Sequence, residues 1–360
     1  MLEQLFAAFP VLDSTAAFPF IAEPGSVSSP LIRLMNAHAP RAGCTLPGAI
    51  GGVISKLVDE YGLSHYFTPN LGNTGNDALI LGADKPQPDL LIVAHMDRPS
   101  FRVRHTSTGE IYPVCAVRIP EHGYTCAAKA LRYDPASQSI EVAAVGKFRA
   151  ENGIMRFQAE TGDLHPLDTI VMDADPTLEN GQITGTGLDN TLGVLTALGV
   201  AFAFASDVNR LIAENKQIMI VFTDEEEGIP DVFFGHGAAR LAQIVRPARG
   251  AIVCDAQTVG EGTPIQPGAG GSHGVISGAG KGALVPLNAA VLAANLITEV
   301  NRWKPGTIQL NTGYLSRSDE MGMSRWTRVL GMVGVPMRDP HTAHESAALA
   351  DIGNTVVWLT

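Results

Sequence analysis

Four short stretches, Ala78–Leu81, Leu90–Ala94, Ile218–Phe222 and Ala251–Cys254, are apolar at every position. A strand with one wet face alternates polar and apolar residues; a strand covered on both faces does not. These runs are therefore expected as inner strands of a sheet with helices on both sides. Helical spacing lies between them. Ile50, Val53, Ile54, Leu57 and Val58 mark one face of a helix within Pro47–Tyr61. Further helices are expected over Ser29–His38, Thr191–Phe204, Gly237–Val245, Leu287–Val300 and Glu345–Leu359, and another strand over Val329–Val335. This alternation of strands and helices predicts an α/β fold.

Between residues 101 and 182 the pattern changes. Short alternating pieces such as Phe101-Arg102-Val103-Arg104 and Ser139-Ile140-Glu141-Val142 are broken by Gly, Pro, Asn and Asp. That texture predicts a small all-β domain inserted into the α/β domain, which then comprises 1–100 and 183–360. Glycines crowd between Gly260 and Gly282, a stretch expected to form a loop over the site.

The formal net charge of −11 and the lack of any basic run argue against a nucleic-acid partner. No apolar run reaches the roughly 20 residues of a membrane span. The apolar N-terminus carries Glu3 and Asp13 and no cationic start, unlike a secretory signal. Cys44, Cys115, Cys126 and Cys254 show no paired spacing, so reduced thiols and a cytoplasmic location are expected.

Residues that carry chemistry follow the apolar runs directly, where open α/β sheets place their ligands. Leu90–Ala94 leads into His95-Met96-Asp97, Ile218–Phe222 into Thr223-Asp224-Glu225-Glu226-Glu227-Gly228, and Ala251–Cys254 into Asp255. His341 follows Pro340 beyond the last strand, and His344 lies one helical turn later, so the two could share a helix face. Asp189 precedes a helix and has a structural reading as its N-cap; as a carboxylate it can also bridge two cations. A histidine ligand needs an acceptor for its second N–H, which suits Asp97 behind His95. Adjacent carboxylates repel one another, so a site that gathers them usually supplies positive charge.

In order along the chain, Ala94-His95-Met96-Asp97, Leu188-Asp189-Asn190, Glu225-Glu226-Glu227-Gly228, Asp255 and Arg338 through Glu345 resemble the motifs of the glutamyl aminopeptidase (TET-type) family of co-catalytic metallo-aminopeptidases. The resemblance spans nearly the whole chain. It implies a mixed-sheet zinc-peptidase catalytic domain with a β insertion serving oligomerisation and access control. It also implies two divalent ions per subunit, Zn or Co foremost and Mn as a third option. Asp189 would bridge them, with His95 and Asp255 on one ion, Glu226 and His341 on the other, Glu225 as general base and Asp97 in support. That donor set contains no thiolate. Spacing to Gly228 favours this register over one a residue later, with Glu226 as base and Glu227 as ligand. The implied partners are peptides with a free N-terminus and further copies of the chain, from dimer to dodecamer. Departures follow His95: Arg98-Pro99-Ser100 and Asn190 stand where relatives commonly carry other residues, which places Arg98 and the glycine-rich stretch among the candidates for substrate selection. A two-metal amidase or deacylase, or a non-catalytic scaffold, are the competing readings.

Overall fold

The computed structural model describes residues 29–120, 122–228, 234–260, 262–276, 285–313 and 317–360. The apolar stretch at residues 1–28 and part of the glycine-rich segment lie outside them.

The frame is an eight-stranded sheet. Its strands in chain order are β1 (Phe67–Thr68), β2 (Asp77–Gly82), β3 (Leu90–His95), β12 (Gln217–Thr223), β13 (Gly250–Cys254), β15 (Gly271–Gly274), β16 (Ile308–Asn311) and β17 (Val329–Gly334). Across the sheet they run β1-β2-β12-β3-β13-β17-β15-β16. The four central strands, β12, β3, β13 and β17, are mutually parallel, and antiparallel pairs flank them. All four apolar runs are strands here, and the reason for their continuity is visible side by side. Ile92 and Ala94 of β3 join one apolar cluster while Leu91 and Val93 join another; Ile218, Ile220 and Phe222 of β12 divide from Met219 and Val221 in the same way. The first cluster receives α1 (Pro30–Met35), α2 (Ile50–Glu60), α3 (Leu188–Ala205) and, after α4 (Val208–Ala213), the C-terminal α8 (Leu349–Leu359). The second receives α5 (His236–Leu241) and α7 (Glu320–Met323), with α6 (Leu287–Trp303) against β16 and β17. Among the described residues α3 alone is long and apolar enough to cross a membrane, and 78% of it is buried inside the fold. It is apolar all round because it is enclosed all round.

Residues 101–172 form a closed six-stranded barrel in the order β4-β5-β8-β7-β6-β9: β4 (Phe101–His105), β5 (Glu110–Pro113), β6 (Tyr124–Asp134), β7 (Ser139–Glu151), β8 (Ile154–Gly162) and β9 (Thr169–Met172). Phe101, Phe148, Phe157 and Ile170 fill it with the small Ala128 and Ala130. β7 carries a register shift at Val145/Gly146, where a side-chain carbon on Gly146 would stand 2.0 Å from the Gln158 carbonyl oxygen. Only glycine permits that approach.

A five-stranded sheet joins the remaining pieces: β10 (Thr177–Glu179), β11 (Gln182–Gly185), β14 (Gln257–Thr258), β18 (Pro336–Arg338) and β19 (Glu345–Ala348). Two expectations change here. Glu345–Ala348 reads as the start of a helix, but it is a strand, paired with Gln182–Gly185 on one side and Met337–Arg338 on the other; the helix begins only at Leu349. Cross-strand pairing outweighs the helix preference of its alanines. The glycine-rich stretch contains β15 rather than loop alone. At Gly271 a side-chain carbon would meet Thr355 Oγ1 at 2.4 Å, so the glycines let the strand lie close under α8.

Candidate metal centre

β3 ends on His95, β12 runs into Asp224 through Glu227, β13 ends before Asp255, and Asp189 opens α3. Parallel pairing sets Thr223 beside His95 and Val253 beside Val93, so the acidic residues beyond β12 and β13 meet His95 at one sheet edge. His341 approaches from the turn after β18. The distances show a cluster with one shared member. His95 Nε2 lies 3.3 Å from Asp189 Oδ1, 3.5 Å from Asp255 Oδ1 and 3.9 Å from Glu226 Oε2. His341 Nε2 lies 3.3 Å from the other Asp189 oxygen, Oδ2, and 3.4 Å from Glu227 Oε1.

Both imidazoles are held in one tautomer. Nδ1 of His95 stands 3.0 Å from the Asp97 carbonyl oxygen, and Nδ1 of His341 contacts the Ala116 carbonyl. A carbonyl only accepts, so each Nδ1 donates and each Nε2 is turned to the carboxylates. The Asp97 carboxylate is 3.6 Å from His95 Nδ1, and its main work is elsewhere: it accepts the backbone N–H groups of Glu226 and Glu227, each at 3.0 Å. Asp97 thus fixes the acidic turn more than the imidazole.

Asp189 is free to face both histidines because its neighbour caps the helix. Asn190 Oδ1 accepts the Gly193 N–H at 2.8 Å and its amide donates to the Cys254 carbonyl. The N-cap reading of Asp189 therefore passes to Asn190. Glu345 connects the halves, accepting the N–H groups of Leu188 at 2.7 Å and His341 at 2.9 Å.

The four acidic residues after β12 part company. Asp224 accepts the N–H groups of Ala42 and Cys44, both at 3.0 Å. Glu225, expected as the base, is turned away from the cluster into an ion pair with Arg240, with Arg41 and His236 each 3.8 Å off. Its backbone is left-handed at φ 60. Glu226 reaches the His95 side and Glu227, not Glu226, the His341 side. The cause is the turn: Asp224 is tied to 42–44 and takes the Glu225 N–H, and Asp97 holds the N–H groups of Glu226 and Glu227, which leaves these two side chains pointing inward. His344 is exposed and outside the cluster, since no helix forms after Pro340 to bring it beside His341. Arg98 donates to the carbonyls of Leu34, Met35 and Ala37, a cap for α1, and lies apart from the cavity over the cluster.

The electrostatics of the cluster favour a bound cation. Burial raises the Glu227 carboxyl to about 7, against the pull of His341, and burial raises Glu345 to about 8. Burial and neighbouring carboxylates raise Glu226 and Asp255 as well. Burial alone would lower the two histidines, but Glu226 and Asp255 around His95, and Glu227 beside His341, carry both well above the ordinary imidazole range. Glu227 Oε1 and Asp255 Oδ1, which follow Asp189 in closeness to the two imidazoles, are buried and have no hydrogen-bond partner among the described residues. Buried anionic oxygens without donors are the expected counterpart of bound cations. The donor set of imidazole nitrogen and carboxylate oxygen suits Zn²⁺, Co²⁺ or Mn²⁺.

Sequence reading found His95, Asp189, Asp255 and His341 by their positions at strand and helix ends. It left Glu345 without a role and did not find Cys115, which reaches the site from the segment after β5; a thiol outside any motif gives no signal. Cys115 Sγ groups with Glu227 and His341, within 4.8 Å of one another. Burial pushes that thiol up to about 11. A cavity of about 160 Å³ opens over the cluster, with Arg118, Phe234 and Arg317 on its outer wall.

No family model and no curated protein matches this sequence. Solved structures do. The TET1 peptidase of Pyrococcus horikoshii superposes with a TM-score of 0.67 at 16% identity, covering 92% of this chain and 97% of its own. The aminopeptidase APDkam598 of Desulfurococcus kamchatkensis gives 0.68 at 16% identity over 91% and 92% of the two chains. A Thermotoga maritima protein described as an endoglucanase gives 0.59 at 17% identity over 91% and 94%. The chain has the mixed α/β fold of the TET aminopeptidases.

Proposed function

We propose that this chain is a TET-type metallo-aminopeptidase that removes N-terminal residues from peptides through a centre of two divalent ions. The observation that supports this is one carboxylate divided between two imidazoles, Asp189 with Oδ1 toward His95 and Oδ2 toward His341. Asp189 would bridge the ions, His95 and Asp255 would complete one position, and His341 and Glu227 the other. Zinc or cobalt, or manganese, bound there would supply Lewis acidity toward a substrate carbonyl and bring the acidity of a held water toward neutrality.

The chain's own residues do the rest. Glu226, on the His95 side and belonging to neither ligand set, takes the proton of the attacking water and passes it to the leaving amine. The base and ligand are thus Glu226 and Glu227, one residue later than the first register. Asp97 holds both by their backbone N–H groups. Carboxylates around the cluster suit a substrate α-ammonium, which restricts cleavage to the N-terminal residue. The barrel brings Ala116 and Arg118 to the cavity and is read as an element of access control and of homo-oligomer contacts, like those of relatives described as dodecamers. The four cysteines of the chain are free thiols, which supports the reading of a cytoplasmic protein.

The test is a panel of aminoacyl-anilides assayed with Zn²⁺, Co²⁺ or Mn²⁺, beside their N-acylated forms and a soluble β-glucan. Metal-dependent release from free amines alone is expected. Turnover confined to N-acylated compounds would establish a deacylase, and turnover confined to the glucan would establish a glycosidase; either sinks the proposal.

A further inference from the structure

The two halves of the cluster differ in a way that the shared Asp189 conceals. On the His95 side donor atoms of His95, Asp255 and Glu226, the last being the base of the reading above, lie within 4.8 Å of one another; on the His341 side the corresponding group is Cys115, Glu227 and His341. Only the second contains sulfur. Cys115 and Glu227 are each 2% exposed, and Glu227 Oε1 has no hydrogen-bond partner among the described residues. The thiol is also held in place. Val114 N–H donates to the Ser100 carbonyl at 3.0 Å, and the Ala116 carbonyl contacts His341 Nδ1, so the residues on both sides of Cys115 are anchored. The other cysteines are elsewhere: Cys44 donates to the Pro40 carbonyl, Cys126 packs in the barrel, and Cys254 joins the apolar cluster under β13.

We propose that Cys115 is a thiolate donor to the His341 position, which then holds its ion through four protein side chains and favours zinc or cobalt over manganese. This rests on the two-ion reading above. Asp189, Glu227, His341 and Cys115 together make up the four donors at which zinc sites with closed coordination settle. The His95 position keeps three, His95, Asp189 and Asp255, and so has an open place facing Glu226 for water and substrate. Thiolate is a soft donor that prefers zinc and cobalt to manganese. On binding, the sulfur–metal bond replaces the S–H bond, the proton goes to solvent, and no oxidation state changes. The result is a centre with one position for retention and one for chemistry.

The full chain loaded with Co²⁺ tests this by its absorption spectrum. A sulfur-to-cobalt charge-transfer band is expected to grow as cobalt fills the chain and to vanish in Cys115→Ser at unchanged cobalt content. The same variant is expected to lose about tenfold or more of the preference for zinc over manganese, the usual scale for a change beside a metal. Cobalt bound with no such band, or a band that survives Cys115→Ser, overturns the thiolate proposal and leaves the two-ion reading standing. Failure of the wild-type chain to retain cobalt overturns both. Should Cys115→Ser not fold, Cys44→Ala, Cys126→Ala and Cys254→Ala are each expected to keep the band; its loss in any of them assigns the sulfur elsewhere and overturns the proposal.

Discussion

His95 and His341 meet the same carboxylate from supports that have little in common. His95 is the last residue of a central parallel strand, 1% exposed, and its partners sit one to three residues past the ends of the adjoining strands. Backbone pairing puts Asp255 and the acidic turn beside it, and Asp97 holds the N–H of Glu226 within that turn. His341 stands in a turn with φ 61, and distant groups hold it: Glu345 takes its N–H, Ala116 takes its Nδ1, and Cys115 and Glu227 flank it. The first half is a property of the sheet. The second is assembled from the barrel side, the second sheet and a loop, and a change in any of these reaches it.

The sharpest way to break this comparison is at the acidic turn. Glu226→Gln is expected to lower kcat by about 100- to 10,000-fold with metal content unchanged, while Glu225→Gln stays within a few-fold of wild type. The opposite pattern in steady-state kinetics and metal analysis would return the base to Glu225. Asp97→Ala releases the N–H groups of both Glu226 and Glu227, so both halves should weaken together, by about 10- to 100-fold in metal affinity by titration calorimetry. Glu345→Gln reaches the His341 position directly and the His95 position only through the backbone of the shared Asp189, so the larger loss, about tenfold, is expected at the His341 position. Equal weakening of both would show that the loop is no more dependent on remote support than the strand.

Acidity gives a further contrast. Glu227, raised to about 7, Asp319, raised to about 7, and Glu345, raised to about 8, are shifted upward chiefly by burial. The folded chain then binds more protons than the unfolded one between their ordinary range and these values. Their contribution to stability is full at acidic pH and is lost as pH rises through about 7 to 8. The chelated protein should therefore melt at lower temperature at pH 8 than at pH 6 by calorimetry, and zinc should reduce that difference. The smallest effect on activity is expected at Arg98→Lys. It removes planar contacts to the carbonyls that close α1, costing about 1–3 kcal/mol, with kcat unchanged because Arg98 faces away from the cavity.

Much of this was legible in the residues. Continuous apolar runs such as Leu90–Ala94 specify a strand covered on both faces, since no other arrangement buries every side chain. A histidine or aspartate directly after such a run must lie at a sheet edge, which is why His95 and Asp255 could be named. Glu345–Ala348 was read as helix because its composition allows it, and long-range pairing decided otherwise. The acidic turn resisted for a different reason. Asp224 through Glu227 are chemically near-equivalent, and the spacing to Gly228 that favours Glu225 and Glu226 carries no information on the hydrogen bonds that turn each side chain.

The chain's pattern of apolar runs and strand-end ligands thus determined by itself an α/β sheet with a cluster of imidazoles and carboxylates at its edge. Which glutamate serves the cluster, that Asn190 caps α3 and frees Asp189, and that a thiol from beyond β5 joins His341 were decided only by tertiary structure. Burial follows periodicity that is local in the sequence, whereas the direction of a side chain in a turn is set by hydrogen bonds to residues such as Asp97, which lies 129 positions from Glu226.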